Sequence, residues 1–69
     1  MTELEARTNL QRILDAKHNS DIMFEETKYT NGTGFVDAQI AQIYKLGDGE
    51  WNSDIADSHI ATIEDKMLG

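Results

Sequence analysis

Apolar residues recur at helical spacing in three separate stretches of this chain. In the first, Ala6, Leu10, Ile13 and Leu14 follow one another at i, i+4, i+7 and i+8. Lys17 continues the stripe and Leu4 lies at its edge. This is one face of an amphipathic helix rather than the two-residue alternation of a strand. Thr2 and Glu5 precede the stripe in the T-x-x-E arrangement of a capping box, in which each side chain satisfies the other's backbone N–H. Glu3 and Arg7 add an i,i+4 pair in the better order. Lys17 and His18 sit where the helix dipole favours cations, and Asn19 can end the helix. The pattern predicts a helix over 3–18.

The stretch from Ile22 to Gly34 reads differently. Phe24, Thr27, Tyr29 and Thr30 favour extended backbone, Asn31-Gly32 is a hairpin-type turn signal, and Gly34 adds a second breaker. An arm or half-hairpin is expected over 22–30, with a short helical turn capped by Ser20 as the rival. Beyond it, Val36, Ile40, Ile43 and Tyr44 return to helical spacing and predict a helix over 35–46, with Gly47 as its stop. The last stripe, Ala56, His59, Ile60, Ile63 and Met67, predicts a helix over 54–68 with Ser53 or Asp54 as N-cap. The expected fold is therefore mainly α: three helices around Leu10, Ile13, Leu14, Val36, Ile40, Ile43, Ile60 and Ile63. The runner-up is α+β, with a two-stranded hairpin over 22–44.

Length bounds the rest. Sixty-nine residues make one domain, and a chain of this size buries only about 60% of its unfolded surface. A core drawn from 39% hydrophobic residues is small, and a second copy of the chain could add to it. There is no cysteine, hence no disulfide framework and no thiolate metal site. The longest apolar run, Ile22-Met23-Phe24, is too short for a membrane span, and the polar N-terminus does not read as a signal peptide. These features lead us to expect a cytoplasmic protein without membrane contact.

Charge changes the picture most. The formal net charge is −7, and from Leu46 to Asp65 there is no Lys or Arg. Such a surface repels phosphate backbones, so direct nucleic-acid binding is not expected. On a helix, Asp54, Asp57, Glu64 and Asp65 share one side around Ala61 and span about 16 Å along the axis. With Asp48, Glu50 and Trp51 close by in sequence, they form the expected partner-binding set. The expected partner is a protein with a basic surface.

Reaction chemistry finds little support. Ser58 and His59 are consecutive and point about 100° apart on a helix. No nucleophile elbow or phosphate-cradling loop is present. His18 and His59 lack metal-ligand spacing, so no zinc site is expected. Counted from Asp48 as a calcium loop, Asp48, Glu50, Asn52 and Asp54 fall on ligand positions. Ser53 and His59, however, occupy the places that require glycine and a bidentate glutamate. No cofactor, metal or catalytic residue is expected. Asn31-Gly32-Thr33 is formally a glycosylation sequon but reads more simply as a turn.

The expected function is a non-enzymatic regulator or inhibitor that binds protein through its acidic surface. Its sharper form mimics nucleic-acid charge against a basic site on a nucleic-acid-handling protein, by analogy with small acidic inhibitors encoded by phages and mobile elements. The alternatives are an assembly subunit, a possible homo-oligomer that binds through Ile22-Met23-Phe24 or Trp51, and a divalent-cation-responsive domain using 48–59.

Overall fold

The N-terminal capping box forms as its spacing dictates. The Thr2 backbone N–H donates to the Glu5 carboxylate at 2.8 Å, and the Glu5 N–H donates to the Thr2 hydroxyl at 3.2 Å. Helix α1 follows over Glu3–Ser20. Two reciprocal bonds satisfy N–H groups that the first turn leaves without helical partners. Ala6, Leu10, Ile13 and Leu14 are all buried, so the apolar stripe became the inner face. Leu4, expected at the stripe edge, is 75% exposed and lies on the outer face instead.

The computed structural model describes residues 1–20 and 32–69. Two further helices complete the order, α2 over Gly32–Leu46 and α3 over Ser53–Leu68. No strand occurs among the described residues. The hairpin alternative over 22–44 fails because its second strand is α2. The spacing of Val36, Ile40 and Ile43 buries one helical face, whereas strand alternation would have put Ile43 and Ile40 on opposite sides. The expected arm over 22–30 lies outside the described residues. Helix α2 begins three residues before the expected Phe35, at Gly32. Gly34, expected to break structure, lies in the first turn of α2.

Helix α1 is the centre of the bundle. It packs against both α2 and α3, while α2 and α3 touch each other least. Ala6, Leu10, Ile13, Val36, Ile40, Ile43, Ala56 and Ile60 form one buried cluster. The two alanines matter because small side chains let helices approach closely. Ile63, expected in the core, packs on its margin and is half-buried. Phe35, Tyr44, Trp51, Ile55 and Met67 close the same cluster from outside. No polar side chain is buried among the described residues, so the core is held by apolar contact alone. No helix among the described residues is long and apolar enough to cross a membrane.

Candidate functional site

The turn between α2 and α3 carries the first of the acidic residues. Helix α2 ends with the Gly49 N–H donating to the Tyr44 carbonyl at 2.8 Å and the Asp48 N–H donating to the Lys45 carbonyl at 3.2 Å. This pair of bonds is the Schellman closure, with Asp48 at the left-handed position. Asp48 has φ 56° and Gly49 φ 90°, and the Glu50 N–H closes the tight turn onto the Gly47 carbonyl at 3.2 Å. Positive φ at two successive residues, filled by Asp-Gly, is the signature of a type I′ turn. Gly47 itself is needed for space: a Cβ there would meet the Glu50 carbonyl inside the 3.0 Å that real Cβ atoms essentially never breach. The side chains of Asp48 and Glu50 are left exposed.

Trp51 leads the chain back to the core. Its ring meets Tyr44 edge-on, with centroids 5.3 Å apart and planes at 62°, and its indole N–H donates to the Met1 carbonyl at 2.9 Å. The large apolar body thus packs inward while its single donor is satisfied at the rim. Asn52 follows as the N-cap of α3, its side-chain oxygen accepting from the Ile55 N–H at 3.0 Å. Ser53 and Asp54, expected as caps, lie inside the helix. Asn52 has the extended backbone that a capping residue adopts, φ −121° and ψ 116°.

The acidic side of α3 divides into two sets. Asp57 accepts from the α-ammonium of Met1 at 2.9 Å, and the same ammonium reaches the Ser53 hydroxyl at 2.6 Å. Glu64 pairs with Arg12 of α1 at 2.9 Å. At 100° per residue, these two carboxylates lie on the flank of α3 that faces α1. Asp54 and Asp65 project from the outer side and form no ion pair with the described residues, and neither do Asp48 and Glu50. Periodicity placed all four α3 acids on one side but could not show that the Met1 ammonium and Arg12 supply cations to two of them.

A second polar cluster joins α1 to α2. Arg7 reaches Glu3 at 3.5 Å and Asp37 at 2.7 Å, and the Tyr44 hydroxyl donates to the Glu3 carboxylate. That hydroxyl, followed by Arg7, holds the Glu3 carboxyl below the usual carboxylate range despite some desolvation. The same bond pushes the Tyr44 phenol up. The Thr2 N–H and hydroxyl lower Glu5 likewise. The Glu3–Arg7 pair was legible from spacing; Asp37 and Tyr44 join it only through tertiary packing.

Among the described residues, no group of three or more Asp, Glu or His side chains converges as a metal site would require. In the stretch 48–59, Asn52 spends its side-chain oxygen on the α3 cap and His59 bonds Gln39 at 2.8 Å. Two of the residues a cation loop would need are thus engaged elsewhere. Comparison with protein-family models, with curated proteins and with solved structures finds no match to this chain.

Proposed function

We propose that this protein is a non-enzymatic regulator or inhibitor that binds a basic protein surface through carboxylates. The acids that do so are Asp48, Glu50, Asp54 and Asp65. One observation carries the reading: these four lack any cationic partner among the described residues, on a stretch that contains no Lys or Arg from Leu46 to Asp65. Asp57 and Glu64 belong to the fold first and to the interface second, because the Met1 ammonium and Arg12 already pair with them. Trp51 supports the turn from beneath.

In its sharper form the basic surface is the nucleic-acid site of another protein. Asp54 and Asp65 stand eleven residues apart, about 16 Å along the helix, which matches the reach of a few phosphates on a duplex edge. The ion pairs at Asp57 and Glu64 are exposed, and exposed pairs are worth about 0–1 kcal/mol. A partner's arginines can therefore displace Arg12 or the Met1 ammonium at small cost and complete the row.

The test is capture of partners from native lysate at low and high ionic strength, with the wild-type chain and with the triple variant Asp48→Asn, Glu50→Gln, Asp54→Asn. Capture that is strong at about 0.05 M salt and lost near 0.5 M, where the Debye length shrinks several-fold, supports the reading. The triple variant should lose the same partners. Capture indifferent to both salt and the triple variant defeats it.

A further inference from the structure

Helices α2 and α3 leave an open groove between them because both pack on α1 and only weakly on each other. Its volume is about 470 Å³, and Leu46, Asp54, Ile55, Ser58, His59 and Thr62 line it. Leu46 is 51% exposed at the end of α2. Ile55 is half-buried beside it, and the His59–Gln39 bond bridges the two helices. Asp54 stands at the edge, and Asp48 and Glu50 sit on the turn that connects the two walls.

We propose that this groove seats one apolar side chain of a basic, amphipathic peptide segment belonging to the partner protein, whose flanking Lys or Arg residues meet Asp54, Asp48 and Glu50. The proposal rests on the acidic-surface reading above and gives the occupant a shape. Charge complementarity selects the occupant: the lining holds a carboxylate and no Lys or Arg, so a second copy of this acidic chain is repelled and a cationic segment is drawn in. The exposed leucine beside an isoleucine supplies an apolar contact that a purely phosphate-like surface would not need. The volume falls within the range of pockets that take small ligands, ample for one large side chain.

The test uses defined peptides of about twelve residues, three helical turns, titrated at low salt into the full chain labelled for NMR. One peptide carries Leu and Lys at helical spacing, a second replaces every Leu by Gln, and a third replaces every Lys by Gln. We expect the Leu/Lys peptide to bind and to shift the amides of Leu46, Ile55, Ser58 and Thr62. Removing its leucines should weaken binding about tenfold or more, as loss of one buried apolar side chain implies. Leu46→Ser and Ser58→Arg alter exposed or half-exposed walls and spare the core, which the far-ultraviolet circular dichroism spectrum will verify. Each should weaken the Leu/Lys peptide to a similar extent. Equal binding of the leucine-free peptide, sensitive to Asp48→Asn, Glu50→Gln and Asp54→Asn but not to Leu46→Ser, overturns the groove while leaving the acidic surface standing. Shifts confined to other faces, binding by the lysine-free peptide alone, or no binding by any peptide also overturns it.

Discussion

Replacing Gly47 by alanine tests the α2–α3 turn at its tightest point. The new Cβ would press on the Glu50 carbonyl, a backbone atom that cannot swing aside. The turn must then open, which strains or breaks the Glu50-to-Gly47 bond at 3.2 Å and the neighbouring Asp48-to-Lys45 bond at 3.2 Å. Each such bond contributes about 1 kcal/mol. Alanine's stiffer unfolded chain returns about 0.4–1 kcal/mol, so the net loss is about 1–1.6 kcal/mol. A chain of this length has roughly 3–10 kcal/mol in total. With a urea m-value near 1 kcal/mol/M, the midpoint should fall by about 1–1.6 M. Trp51, the chain's one tryptophan, sits four residues on and packs against Tyr44, so its fluorescence reports the transition beside circular dichroism. The adjacent Asp48→Asn should move the other way, by about 0.3–1 kcal/mol. Asparagine suits positive φ, and the change removes a carboxylate from the negative end of α2. A Gly47→Ala midpoint equal to the wild type, or a destabilised Asp48→Asn, refutes this account of the turn.

Asn52→Ala removes the α3 cap and should cost about 1 kcal/mol in the same urea titration; Ser53→Ala, which leaves that cap intact, should cost less. Ile13→Ala empties a fully buried position and should cost about 2–5 kcal/mol, enough to leave a large unfolded fraction by circular dichroism at room temperature. Acidification should destabilise the fold. Glu3 and Glu5 are lowered in the folded state by hydrogen bonds from Tyr44 and Thr2, so their contribution is full above the unfolded glutamate range and lost as pH falls through their folded values. Tyr44 is raised, so its contribution holds below the ordinary tyrosine range and is lost at higher pH. Melting temperature against pH should fall on both sides, and Tyr44→Phe should flatten the alkaline limb.

The helices were legible because their stripes are periodic and their punctuation is chemical. Thr2 and Glu5 announced α1, and Gly47 announced the end of α2. The misassigned cap shows the limit of such signals: Asn52, Ser53 and Asp54 are all good caps in succession, and only the inward seating of Trp51 next to Asn52 decides among them. Leu4 was read from its neighbours in sequence, yet its exposure depends on which way α1 faces. The acidic side of α3 was visible as a row. Its division into paired and unpaired carboxylates was not, because Arg12 and Met1 reach Glu64 and Asp57 from more than fifty positions away. The sequence likewise held no sign of the α2–α3 groove, which follows from both helices leaning on α1.

The account assigns separate work to two sets of carboxylates, and one paired comparison tests that directly. The triple variant Asp48→Asn, Glu50→Gln, Asp54→Asn and the double variant Asp57→Asn, Glu64→Gln are assayed for partner capture at low salt and for urea stability. The triple variant should lose capture at undiminished stability, and the double variant, which gives up two exposed pairs worth about 0–1 kcal/mol each, should lose little stability and still capture. If the double variant alone abolishes capture, or the triple variant captures as the wild type does, the assignment is contradicted.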